Sequence, residues 1–133
     1  MTSISDAFRR AEEERRAALI VYLTAGYPDL QSSVDHMLAC VDAGADMLEI
    51  GIPFSDPLAD GPVIQSASTT ALKGGVRPRD VFTLAADAAA EGAKVVLLSY
   101  LNTILALGPD RFFATCSESG VLGVVVPDLP VEE

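Results

Sequence analysis

Beyond Asp46 at its start, the stretch DMLEIGIPFSDPLADG at residues 46–61 holds three carboxylates close together: Glu49, Asp56 and Asp60. Glu49 interrupts an apolar run of Met47, Leu48, Ile50 and Ile52, too short for a typical helix and read as a strand. Side chains alternate along a strand, so Met47, Glu49 and Gly51 share one face while Leu48 and Ile50 share the other. Burying a carboxylate there is costly and pushes it toward its neutral form. Gly51 and Pro53 end the strand. Asp56 and Asp60 follow on its exit loop, each beside a turn-former, Pro57 and Gly61. One carboxylate on a buried strand and two on the adjoining loop suit acid–base chemistry. Structural readings stand beside this one. Glu49 can be an edge charge paired with a distant base, and Asp beside Pro or Gly is ordinary turn chemistry. A Mg²⁺ site at Glu49, Asp56 and Asp60 is a further reading, against which Pro57 argues.

The elements that must carry these residues follow from the rest of the pattern. Residues 4–16, with Ser5 or Asp6 as cap, read as a helix whose charge run is a solvated face. Residues 18–24 (ALIVYLT) are a continuous apolar run, as in a strand covered on both faces. A second helix is expected at residues 30–42, capped by Asp29 and stopped by Gly44. Val34, Met37, Leu38 and Val41 mark its core face. His36, the only histidine, falls off that face and is read as exposed. Helices led by proline are expected at residues 62–73, 78–91 and 109–119. Strands are expected at 94–100 and 121–126, with residues 101–108 as an exit loop. Alternating strand and helix with short connections predicts a parallel α/β sheet. Tyr22 and Thr24, Glu49 and Asp60, Tyr100 and Asn102, and Asp128 then fall at or just past strand carboxyl ends, where barrels place their active sites. From the pattern alone an open doubly wound sheet is as good a reading as a barrel, though no G-x-G-x-x-G follows any strand.

Composition narrows the function. With 133 residues, half of them hydrophobic, the chain can build one modest domain with a core. The net charge of −10, from 19 acidic and 9 basic residues, disfavours nucleic acid and anionic membranes as partners. A phosphorylated substrate remains compatible, because helix N-termini bind phosphate without net positive charge. Cys40 and Cys116 are too few for a disulfide framework and suggest buried thiols in a reducing compartment. The start has no apolar signal region and no run is long enough to span a bilayer, so the cytoplasm is expected.

The string Leu48-Glu49-Ile50-Gly51-Ile52-Pro53-Phe54-Ser55-Asp56-Pro57-Leu58-Ala59-Asp60-Gly61, continued by Pro62-Val63-Ile64-Gln65, resembles the signature of the tryptophan synthase alpha chain family. The resemblance runs on to the closing VVVPDLPVEE. It implies a (βα)8 TIM barrel and a lyase of tryptophan biosynthesis that needs no metal and no cofactor. The implied reaction is retro-aldol cleavage of indole-3-glycerol phosphate to indole and glyceraldehyde 3-phosphate. By the same resemblance Glu49 matches the general acid/base. Asp60 matches the carboxylate that accepts the indole N–H and offsets developing positive charge. Tyr22, Ile64 and Tyr100 match positions lining the indole pocket. Asp56 and Pro57 match positions that touch the tryptophan synthase beta chain, the partner in an alpha2-beta2 tetramer.

A complete barrel of this type needs roughly 250 residues. Residues 1–133 therefore read as a single partial-barrel domain, the N-terminal half, with strands 1–4 and their helices. The resemblance places the phosphate-binding loops and the mobile closing loop in the second half. Two other functional readings stay open: a non-catalytic half-barrel acting as a binding module, and a stand-alone indole-3-glycerol phosphate lyase. The first and last strands, apolar and β-branched, are expected to be open edges that promote self-association.

Overall fold

The structure, a computed structural model, describes residues 3–133. Four strands form where the apolar β-branched runs predict them: β1 (Ile20–Thr24), β2 (Met47–Gly51), β3 (Val95–Leu98) and β4 (Val121–Val125). All pair in parallel, in the order β1-β2-β3-β4. Strands adjacent in sequence are thus adjacent in space, the topology of successive βα units in a barrel wall. The helices are α1 (Ile4–Glu13), α2 (Leu30–Asp42), α3 (Pro62–Lys73), α4 (Pro78–Ala90), α5 (Leu101–Leu107) and α6 (Pro109–Glu118). Proline occupies the first turn of α3, α4 and α6, where its missing N–H costs no hydrogen bond.

The two faces of the sheet bury different things. Leu48, Ile50, Val95 and Leu97 are fully buried in the main core, with Met37 of α2, Val81 and Ala85 of α4 and Phe112 of α6. Each fully buried aliphatic side chain contributes about 1.5–3 kcal/mol. The opposite face carries a smaller cluster of Met47 and Val96 under Ala7 and Ile4 of α1. Gly123 makes room for it: a Cβ there would lie 3.0 Å from Ile4 Cδ1. Helix α1 therefore rests on the face that carries Glu49, close to the amino ends of β2 and β3. The carboxyl ends are left to the loops.

Several local expectations change. Ser3, rather than Ser5 or Asp6, caps α1: its hydroxyl accepts from the Asp6 N–H, and Asp6 accepts in return from the Ser3 N–H. This reciprocal box satisfies two free donors at once. Helix α1 stops at Glu13, and Arg15 adopts a left-handed conformation at φ 54°. Arg16 stays exposed and pairs with Glu14 at 2.6 Å. Its guanidinium grips Asp46 at 2.6 and 2.8 Å, and Asp46 also accepts from the Leu19 N–H at 2.8 Å.

Residues 101–107, expected as loop, form α5. Asp128 accepts from the Leu101 N–H at 2.9 Å, so a carboxylate far along the chain satisfies a first-turn donor that no local residue caps. Cys116 is buried, but Cys40 is only half-buried. His36 is exposed, and Asp29 caps α2 as expected.

Candidate active site

The register of the sheet sets the site. Tyr22 on β1 stands opposite Glu49 on β2, and Glu49 stands opposite Val96 on β3. Partners in register point to the same face, so Tyr22 and Glu49 project together. One pair further along, Thr24 faces Gly51. The Tyr22 hydroxyl reaches the Thr24 hydroxyl at 3.3 Å, and to do so its ring crosses over Gly51. A Cβ at Gly51 would fall 2.8 Å from Tyr22 Cζ and closer still to the hydroxyl. A larger residue at position 51 would have to displace the Tyr22 ring from this position.

Glu49 is half-buried, and no side-chain hydrogen bond reaches its carboxylate among the described residues. Burial raises its pKa above the usual glutamate value, and the charge of Asp60 raises it further. Burial likewise pushes the Tyr22 phenol up, opposed by its bond to Thr24 and reinforced by the charges of Asp60 and Glu49. The carboxyl whose hold on a proton is strengthened by burial and by a neighbouring charge is thus an unpartnered one on a strand.

Asp60 is held differently. The Tyr100 hydroxyl donates to Asp60 Oδ2 at 3.0 Å and accepts from the Ala59 N–H at 3.1 Å. One phenol therefore fixes both the carboxylate and the backbone that carries it. Burial raises the Tyr100 pKa, and donation to Asp60 raises it further. Phe54 stacks on the Tyr100 ring at 5.2 Å. Below the loop, Gln65 Nε2 donates to the Asp60 carbonyl at 2.9 Å, locking the exit loop onto the first turn of α3.

The structure therefore ties Tyr22 to Glu49 by register and Tyr100 to Asp60 by a hydrogen bond, with the Asp60 charge felt at Glu49. Ile64 lies half-buried on the first turn of α3, one turn past Asp60. Asp56 and Pro57, paired by the sequence resemblance as partner-facing positions, separate here: only Asp56 is open to solvent. Asp56 is exposed and accepts from the Ser55 hydroxyl at 2.9 Å, while Pro57 is buried. Asp128 is occupied in holding α5. Among the described residues no group of three acidic, histidine or cysteine side chains is arranged to hold a metal ion, so the Mg²⁺ reading finds no support. Thr24, Phe54 and Gln65 were not singled out as a set by sequence. Phe54 and Gln65 lay inside the motif, but their contacts with Tyr100 and the Asp60 carbonyl are tertiary.

Parallel βα units with a tyrosine–carboxylate site at the carboxyl ends of the strands define half of a (βα)8-barrel protein. A family model described as "Tryptophan synthase alpha chain" matches residues 8–133. The chain belongs to that family. It is 48% identical over 134 residues to the tryptophan synthase alpha chain of Synechococcus elongatus, a match that takes in 100% of this chain and 50% of the relative. The Nocardia farcinica alpha chain is 45% identical over 130 residues, covering 98% and 49%. A tryptophan synthase structure from M. tuberculosis superposes with a TM-score of 0.95 at 40% identity, over 100% of this chain and 54% of that one. The subunit alpha structure from Legionella pneumophila gives 0.95 at 38% identity, over 100% and 52%. The chain thus spans about half the length of the curated relatives it matches.

Proposed function

We propose that this chain supplies the carboxylate half of an indole-3-glycerol phosphate lyase site of the tryptophan synthase type. The observation that carries the proposal is the contrast between two nearby carboxyls. Glu49 is half-buried and, among the described residues, receives no side-chain hydrogen bond, whereas Asp60 is pinned by Tyr100. Retro-aldol cleavage needs both kinds. A proton must reach indole C3 while the side-chain hydroxyl loses one, and Glu49, with its raised pKa, is suited to move them. Positive charge grows near the indole nitrogen. A preoriented Asp60 accepts the N–H and offsets that charge with little reorganisation. Tyr22, Tyr100 and Ile64 line the space for the ring.

The family resemblance assigns substrate phosphate binding to the second half of the barrel. Residues 1–133 alone then hold the reacting groups without the anchor, and loss of positioning can cost several kcal/mol of barrier. The family resemblance implies no cofactor for this chemistry. The same loop supports a partner role. Leu58 is 90% exposed and Val63 83% exposed near the exposed Asp56, an apolar rim suited to a tryptophan synthase beta chain, with the buried Pro57 shaping the loop from beneath. No helix among the described residues is long and apolar enough to cross a membrane, and a biosynthetic lyase of this type works in the cytoplasm.

The test is an indole-release assay with residues 1–133 joined to the second half of the Synechococcus elongatus alpha chain. Indole should appear from indole-3-glycerol phosphate, and the 133-residue chain alone should release little or none. Absence of indole from a well-folded hybrid would favour the reading as a binding module.

A further inference from the structure

On the outer layer, away from Glu49, a groove of about 400 Å³ runs between α4 and α6. This is within the size range of small-molecule sites. Its floor is Phe82 and Phe112, buried and packed edge to face with ring centroids 5.6 Å apart. Arg79 and Thr83 recur one turn apart on α4, and Arg111 and Thr115 do the same on α6, so each helix presents a matching stripe. The two Thr hydroxyls donate back to the carbonyls of Arg79 and Arg111, at 3.1 and 2.8 Å. Specific recognition is therefore left to the arginines and the aromatic floor.

The charge is what makes this groove unusual. No carboxylate lines it, although the chain has 19 acidic residues and only 9 basic ones. Among the described residues the ion pairs are made by Arg9, Arg10 and Arg16, and neither Arg79 nor Arg111 takes part in one. Both arginines sit in the first turn of their helices, where a cation opposes the helix dipole. Helix stability thus does not account for them. Both helices return from parallel strands and so point the same way. Arg79 and Arg111, both exposed and both lining the groove, therefore lie toward the same end of it. Asp80 and Asp110 share those first turns but do not line the groove, so the charge it presents is that of the two arginines, which favours an anion.

We propose that this groove binds a small aromatic carboxylate, with the carboxylate held by Arg79 and Arg111 and the ring laid over Phe82 and Phe112. The walls and floor come from α4, α5 and α6, so the site is independent of the lyase reading. It can be tested with 2-naphthoate titrated into the full chain, followed by amide shifts in ¹H–¹⁵N NMR, with neutral 2-naphthalenemethanol as comparator. Saturable shifts should centre on residues 79–86 and 111–119. The Arg79→Gln/Arg111→Gln variant should bind naphthoate roughly fivefold more weakly, as expected for exposed charge pairs, and the neutral alcohol unchanged. Ala86→Phe, which fills the groove, should remove binding of both. Absence of saturable shifts, equal naphthoate affinity in the double variant, or shifts centred on residues 54–60 would overturn the proposal.

Discussion

The Tyr100 hydroxyl reaches across 40 residues of sequence to donate to Asp60 at 3.0 Å, and accepts from the neighbouring Ala59 N–H at 3.1 Å. The end of β3 is thereby tied to the loop after β2, and the Asp60 carboxylate points where Tyr100 directs it. Tyr100→Phe keeps the ring and its stacking on Phe54 but removes both bonds. A hydrogen bond to a charged group is worth about 1.5–3 kcal/mol, so kcat of the hybrid lyase should fall by tenfold or more. The fold should survive, because the ring remains. Steady-state kinetics with circular dichroism checks this, and an unchanged kcat would remove Tyr100 from the positioning of Asp60.

Glu49 should cost stability at neutral pH. Its folded pKa is raised by burial and by Asp60, so the folded state favours the protonated form. That contribution is fully present below the ordinary glutamate pKa of about 4.3 and is lost as pH rises through the folded value. Glu49→Gln removes the titration. The variant should therefore melt at or above the wild-type temperature at pH 7, and its relative advantage should shrink as pH falls below about 4. Thermal melts from pH 3 to 8 test the sign, and a wild type favoured by rising pH at this residue would reverse it.

Asp46 should behave in the opposite way. Hydrogen bonds from Arg16, then the Leu19 N–H, hold its pKa well below the usual aspartate value. The stability it provides is present above about 3.9 and is lost as pH falls through the folded value. Asp46→Asn should lower the melting temperature at pH 7, with the gap narrowing in acid. A constant gap at all pH values would show that packing, and not charge, is what the substitution removes.

Much of this was legible in the sequence where the chemistry is local. The apolar run at residues 47–52 and its alternation placed Glu49 on the face opposite Leu48 and Ile50, and the structure keeps it there. Proline at the start of a helix and glycine after its end fixed most helix limits. The less visible features depend on partners distant in sequence. Helix α5 looked like loop because its first free N–H is satisfied by Asp128. Arg16 looked like part of a solvated face because its partner, Asp46, lies 30 residues on. Gly51 read only as the end of a strand and Gly123 drew no reading, and their neighbours Tyr22 and Ile4 explain them only in three dimensions. The Phe54–Tyr100–Asp60 linkage was hidden for the same reason.

The sheet leaves β1 and β4 as its two outer strands, and Ile20 and Val125 remain 44% and 43% exposed. Unpaired, β-branched edges template further strand pairing. Residues 1–133 expressed alone should therefore self-associate with rising concentration despite the charge of −10. Sedimentation velocity over a wide concentration range tests this. A monodisperse monomer throughout would show that the edges are better covered than the strand order implies.

The most direct measurement of the central claim is the turnover of Glu49→Gln in the hybrid lyase, read as indole released from indole-3-glycerol phosphate. The substitution preserves volume and removes one proton-transfer group from a position without other hydrogen bonds. Turnover should fall by at least the roughly 10²–10⁴-fold that general acid–base catalysis supplies, with KM little changed and the fold intact by circular dichroism. A folded Glu49→Gln enzyme with near-native kcat would contradict the assignment of Glu49 as the acid/base of this site.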